Sequence, residues 1–232
     1  MTYLRKAKDR GNLDFGWLKT SHTFSFGEYY EPKHHHYGNL RVINEDFIQG
    51  GMGFGTHPHR DMEIVTYVIK GMLKHKDSMG NQGEIKAGEF QRMSAGTGIT
   101  HSEFNGMAKE QTHLFQIWIM PSELNLTPSY DQISVDQSLK ENKLCLVASH
   151  NTNDKSPMGL NARAKIYISA LETNQSLKHK GEYPRTYVQV VRGNVSVNGE
   201  TLSDSDGLGL ETNQLDIVAQ SDCEFILFEL NA

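Results

Sequence analysis

An all-β fold of the sandwich or barrel type is predicted by three features of the sequence. Short segments rich in β-branched and aromatic residues recur at regular intervals, with turn residues between them. Glycine is abundant, at 21 of 232 residues, and hydrophobic residues make up 37 %, the composition of a turn-rich globule rather than a helical repeat. A weak internal repeat relates the two halves of the chain. A protein of this length holds one large β domain or two small ones.

The elements follow in order. Arg5 to Arg10 form a short basic arm, expected to be solvated. Alternation of His22, Phe24 and Phe26 predicts a half-buried strand. Residues 40–44 and 63–69 read as strands, the second closed by Gly71. Asp77, Ser78, Gly80 and Asn81 supply turn chemistry at 76–81, and 85–89 is a second turn. A strong strand at 113–120 stops at Pro121. The polar stretch 122–143 is a junction, giving expected domains 1–134 and 135–232. Strand patterns return at 144–148, 164–170, 186–191, 195–197 and 223–230.

In the repeat, Thr66-Tyr67-Val68-Ile69-Lys70-Gly71 matches the segment from Thr186 to Gly193. Aligning Gly71 with Gly193 puts His57 on His179, His59 on Gly181 and Glu63 on Arg185. With a shorter turn, Gly88 falls on Gly207, His101 on Gln220 and Glu103 on Asp222. The second copy keeps the framework and loses most of its donor groups.

Composition excludes several classes. No apolar run approaches the roughly 20 residues that span a bilayer, so no membrane association is expected. The first residues lack the apolar core of a signal peptide. The two cysteines, Cys145 and Cys223, suit a reducing compartment, so the cytoplasm is expected. A net charge of −5 and a pI near 6.1 argue against direct nucleic-acid binding.

Two clusters carry the chemistry: Gly53-Phe54-Gly55-Thr56-His57-Pro58-His59-Arg60-Asp61-Met62-Glu63 and Met93-Ser94-Ala95-Gly96-Thr97-Gly98-Ile99-Thr100-His101-Ser102-Glu103. His57 and His59 are two apart, as are His101 and Glu103, and residues at i and i+2 on a strand share a face. Two strands can thus aim three imidazoles and one carboxylate into one cavity, a donor set for a divalent transition metal. The expected ligands are His57, His59, His101 and Glu103. Glu63 is the other carboxylate in reach, and is read as supporting the site or pairing with Arg60. His75 is a cavity candidate, with a surface position as the alternative. Phe54, Trp118 and Gln116, and with them Phe115 and Met120, are pocket candidates, the apolar ones having ordinary core positions as the alternative. His34-His35-His36 falls between Pro32 and Gly38, and consecutive residues on extended backbone alternate faces, so a loop is expected there rather than a metal site.

Gly-x5-His-x-His-x3-Glu, from Gly51 through Glu63, resembles the first cupin motif, and Gly98-x2-His101-x3-Asn105 resembles the tail of the second. His22-Thr23-Phe24-Ser25-Phe26, Phe54 through Arg60 and Met93 through Glu103 are similar to the pirin family, in particular its short bacterial branch. The resemblance implies a bicupin of two tandem jelly-roll β-barrels, with iron, or else Mn, Ni, Cu, Co or Zn, in the N-terminal one. It gives the ligand role to Glu103, which also serves with His101 in catalysis, and leaves Glu63 without one. Some members open quercetin with dioxygen and release carbon monoxide, so a flavonol 2,3-dioxygenase with a small aromatic substrate is the expected function. The alternatives are a redox-responsive regulator that binds a protein partner without turnover, and a cupin isomerase or hydrolase using the metal as a Lewis acid.

Overall fold

The computed structural model describes residues 2–231, whose ordered backbone is almost entirely β-strand. In chain order the strands are β1 (Thr2–Arg5), β2 (Gly11–Asp14), β3 (Leu18–His22), β4 (Leu40–Ile48), β5 (Gly53–His59), β6 (Glu63–Lys70), β7 (Met72–Asp77), β8 (Gln82–Lys86), β9 (Glu89–Ser94), β10 (Ile99–Asn105), β11 (Thr112–Ile119) and β12 (Ser129–Ser134). They continue with β13 (Cys145–Ser149), β14 (Met158–Gly159), β15 (Ala164–Leu171), β16 (Ser176–Lys180), β17 (Arg185–Arg192), β18 (Val195–Val197), β19 (Glu200–Leu202), β20 (Gly207–Leu210), β21 (Gln214–Ala219) and β22 (Cys223–Leu230). A helical turn, Gln137–Lys140, falls in the polar junction.

The chain divides into two compact units. One comprises Gly11–His36 and Leu40–Ser134, and the other Met1–Arg10, Tyr37–Asn39 and Val135–Ala232. Each contains a seven-stranded and a four-stranded sheet, and the strand orders correspond except at the edges of the large sheet, where β2 pairs antiparallel with β3 but β14 pairs parallel with β13. In the first unit they are β12-β9-β6-β11-β4-β3-β2 and β5-β10-β7-β8. In the second they are β1-β20-β17-β22-β15-β13-β14 and β16-β21-β18-β19. Burying apolar side chains between two sheets is the usual solution for half-apolar strands. Leu18, Ile48, Val68 and Leu114 of the large sheet meet Leu73 and Ile85 of the small one in the first unit. Val188, Val190, Phe225 and Leu227 meet Val195, Leu215 and Ile217 in the second.

The repeated glycines have a physical basis. Gly71 and Gly193 follow β6 and β17 at φ +84° and +82°, where side-chain-bearing residues are strained. A Cβ would also come within 2.6 Å of the Thr112 hydroxyl at the first, and within 2.2 Å of the Asp222 carbonyl at the second.

Two expectations are corrected. The basic arm is not solvated at either end: Arg5 and Arg10 are buried, because β1 pairs with β20 from Thr2↔Leu210 to Arg5↔Gly207, covering the sheet edge that β12 covers in the first unit. Between them the partly covered ammonium of Lys6 reaches Asp206 at 2.8 Å. The repeat alignment also slips after its first glycine. His57 pairs with His101 across β5 and β10, whereas His179 pairs with Leu215 across β16 and β21. Gln220 and Asp222 lie beyond β21, so Leu215 and Ile217 hold the places equivalent to His101 and Glu103.

Candidate metal centre

The centre begins with an edge strand. Pro58, between the two histidines of β5, has no N–H to give a ladder, which an edge position tolerates, and β5 is the edge of its sheet. His57 and His59 therefore point to one face. Their neighbour β10 sets Ile99 opposite His59 and His101 opposite His57. Between His101 and Glu103 the register shifts, because Glu103 faces Phe54 rather than Gly55. The bulge lets Phe54 join the histidine face, although three residues separate it from His57. Gly53 is obligatory beside it, since a Cβ there would lie 2.2 Å from the Glu103 carbonyl.

One donor atom from each of His57, His59 and His101 lies within 4.8 Å of the others, and the same limit gathers His75, His101 and Glu103. His101 and Glu103 are buried, and His57 and His59 are partly covered. His59 Nε2, His101 Nε2 and Glu103 Oε1 are buried with no hydrogen-bond partner. Buried polar atoms are almost always satisfied. Three orphaned polar atoms on two triads that share His101 fit a bound cation, and a set of imidazoles with one carboxylate suits a transition ion.

The other ring nitrogen of His57 and of His101 is held. His57 Nδ1 donates to the Gly55 carbonyl at 2.8 Å, which leaves Nε2 as the free lone pair. Asp77 and His75 sit opposite His101 and Glu103 on β7. The Asp77 carboxylate can only accept, so His75 Nε2 carries the hydrogen between them at 3.2 Å. His75 Nδ1 then accepts from Gln91 Nε2 at 3.0 Å and from His101 Nδ1 at 3.5 Å. Glu103 Oε2 accepts from Gln116 Nε2 at 3.0 Å, and Gln116 Oε1 accepts from Trp118 at 3.3 Å. Such outer hydrogen bonds fix the tautomer and aim the donor atom. Asp77→Asn would present an N–H to His75 and reverse the chain of donors. It is expected to weaken metal affinity about 10–100-fold, measured by nickel titration of the folded variant.

Electrostatics keeps the rings neutral. Burial, reinforced by the neighbouring rings, pushes His59 and His101 down to about 3. Burial raises Glu103 above the usual carboxylate range, against the pull of His75, His57 and Gln116. Asp77 stays below that range, because hydrogen bonds from Asn81 and His75 outweigh its burial.

Six of the sequence candidates border a common cavity of about 280 Å³: His57, His59, Glu103 and Gln116, with Phe54 and Trp118 as its aromatic walls. The Trp118 and His59 ring centroids are 4.9 Å apart. His75 is buried rather than superficial, with 2 % of its surface exposed. Glu63 lies outside the cavity lining and stands 3.9 Å from Arg92, while Arg60 engages Asp61 and Asn125. Phe115 is core. The His34–His36 run is loop and joins no donor cluster among the described residues. Sequence reading missed His22, Asn44, Thr66, Gln91 and Asp77. His22, Asn44, Gln116, Thr66 and Gln91 are consecutive partners across β3, β4, β11, β6 and β9. One polar row therefore supports both Glu103 and His75.

Tandem β-barrels, one with a histidine-and-carboxylate cluster beside an aromatic-walled cavity, define a two-domain cupin. The family comparisons make this specific. The Pirin model matches residues 4–119, and the Quercetinase C-terminal cupin domain matches residues 146–230. Quercetin 2,3-dioxygenase of Escherichia coli K12 is 48 % identical over 232 residues, covering 99 % of both chains. The crystal structure of bacterial pirin YhhW from Escherichia coli in complex with nickel(II) superposes with TM-score 0.94 at 46 % identity, covering 100 % of this chain and 99 % of that one. A quercetin 2,3-dioxygenase structure from Acinetobacter baumannii, at 23 % identity and TM-score 0.80 over 100 % of this chain and 85 % of that one, shares the fold. The chain belongs to the pirin family.

Proposed function

We propose that this protein is a metal-dependent dioxygenase that opens a flavonol of the quercetin type, with His57, His59, His101 and Glu103 holding one divalent ion, iron in the native state. The observation that carries the assignment is the convergence of orphaned Nε2 and Oε1 atoms beside an aromatic-walled cavity. The 48 % identity to a quercetin 2,3-dioxygenase supports the choice of reaction. When bound, the ion supplies Lewis-acid stabilisation of the substrate's oxyanion and a route for electrons to dioxygen.

The protein's own groups do the rest. Gln116 anchors Oε2 of Glu103 and turns Oε1 towards the cavity. The Glu103 carboxylate takes the proton of the substrate's 3-hydroxyl, a general base within reach of that group. Phe54, Phe26 and Trp118 flank the flat rings and exclude water from the reacting end. The cavity lies near the lower end of the roughly 300–1,000 Å³ typical of small-molecule sites.

The test is untagged anaerobic purification, elemental analysis, and a quercetin assay that records oxygen uptake and carbon monoxide. One transition metal per chain with carbon monoxide release is expected. Bound metal without oxygen uptake would overturn the reaction, and absence of metal under every loading condition would overturn the site. Glu103→Gln keeps the shape and removes the base, so kcat should fall at least ~100-fold. Turnover at the wild-type rate would remove Glu103 from the proton transfer.

A further inference from the structure

The row of the large sheet next to the polar one holds a carboxyl that the metal cluster does not use. Thr20 pairs with Asp46, and Asp46 with Leu114, across β3, β4 and β11. This row stands two residues along each strand from the His22–Asn44–Gln116 row, about 6.6 Å. Asp46 and Thr20 are each 4 % exposed, and both line the cavity. Around them the lining is apolar: Leu13, Phe15, Leu18 and Phe54. Asp46 Oδ1 has no hydrogen-bond partner. Burial raises the Asp46 carboxyl to about 7, with the Thr20 hydroxyl opposing the shift and Glu103 and Glu45 adding to it.

Leaving a buried carboxyl oxygen unsatisfied is costly, and a leucine, which has the same branching and no polar atoms, would carry no such penalty. A group kept at such cost in a ligand cavity has a use when the ligand satisfies it. We propose that Asp46, flanked by Thr20, is a hydroxyl-recognition subsite that accepts a hydrogen bond from a ring hydroxyl at the end of the substrate away from the His57–His59–Glu103 cluster. The substrate class is then narrower than a flat aromatic: it is a polyphenol with a hydroxyl on the ring remote from its metal-facing oxygen. This rests on the flavonol reading above and specifies which flavonols fit.

The two tryptophans of the chain report on the cavity, since Trp118 lines it and Trp17 packs against Phe54 with ring centroids 5.2 Å apart. The nickel-loaded full-length protein is titrated anaerobically, by tryptophan fluorescence, with quercetin and with the flavonol whose pendant ring bears no hydroxyl. Wild type should bind quercetin about 10-fold or more the tighter of the two, the worth of one hydrogen bond to a carboxylate. Asp46→Leu should erase the preference and bind the hydroxyl-free flavonol at least as tightly as wild type does. Asp46→Asn, which keeps an acceptor, should retain part of the preference and guards against a variant that merely misfolds. Equal affinities in wild type, or an undiminished preference in Asp46→Leu, would overturn the subsite while leaving the flavonol reading in place. Failure of both flavonols to quench wild-type fluorescence would overturn the flavonol reading, and the subsite with it.

Discussion

Replacing His101 by alanine is expected to abolish metal binding and turnover while the protein stays folded. The two halves of that outcome have separate causes. His101 stands at the centre of the cluster, within 4.8 Å of donor atoms on His57 and His59 and equally of those on His75 and Glu103. Its removal breaks every arrangement that could close around an ion. Loss of a supporting residue costs 10–100-fold in affinity, so loss of the ligand itself should cost at least ~100-fold. Folding should be spared, because the buried Nε2 of His101 has no protein partner to lose and Nδ1 gives up only the long 3.5 Å contact with His75. The imidazole is also held neutral against protonation, down to about 3, chiefly by burial. In the metal-free protein the alanine variant trades a desolvated polar ring for a small void. The checks are nickel titration and denaturant unfolding of the apo form. Unimpaired nickel binding would remove His101 from the ligand set, whereas collapse of the apo fold would make it a structural residue.

What the sequence disclosed, and what it hid, follows from the range of each interaction. The i, i+2 pairs His57–His59 and His101–Glu103 are local, so strand periodicity alone placed each pair on one face. Gly71 and Gly193 were legible for the same reason, because positive φ after a strand is a property of the turn. The polar row was not. Gln116 was in reach through its parity with Trp118, but His22, Asn44, Thr66 and Gln91 stand on separate strands, several with other polar residues beside them, and only the pairing of β3, β4, β11, β6 and β9 brings them together. Asp77 was read solely as a turn residue. It does accept from Met79 and Asn81 backbone N–H groups, and its second oxygen meets His75 as well. Phe54 has the wrong parity for a cavity residue until the bulge in β5 supplies one extra position. The misplacement of Gln220 and Asp222 comes from fixing register by glycine spacing: Gly88 lies ahead of β9 whereas Gly207 opens the shorter β20, and the loop ahead of β21 is shorter as well.

The second unit shows what becomes of a donor left without its companions, and Glu229→Ala tests it. His179 keeps the place of His57, but Leu215 stands where His101 would be. Its Nε2 is taken up by Glu229 at 2.9 Å, and the carboxylate also accepts from the backbone N–H groups of Glu182 at 2.6 Å and Tyr183 at 3.3 Å. Glu229 is 1 % exposed. Burial works against its ionisation, yet the hydrogen bonds from His179, Glu182, Tyr167 and Tyr183 prevail and hold it below the usual carboxylate range. Alanine strands several buried donors at once, so a loss of about 3–5 kcal/mol in unfolding free energy is expected at neutral pH. The sign with pH is fixed by the direction of the shift. A carboxyl depressed in the fold contributes its full stability above the unfolded value, 4.5, and gives it up as the pH falls below that value and through the folded one. Denaturant titrations of wild type and variant should thus run parallel from neutrality to about pH 5 and converge in stronger acid. A gap that stayed constant through acid would assign the effect to lost packing rather than to the ionised carboxylate. Glu229→Gln discriminates further: it keeps one acceptor oxygen without the charge, so its deficit at neutral pH should be smaller than that of alanine and should likewise close in stronger acid, where wild type loses the ionised carboxylate. The contrast between the units is then one of partners. His179 is closed off by a carboxylate from its own large sheet, while in the first unit the matching imidazole keeps Nε2 open to the cavity.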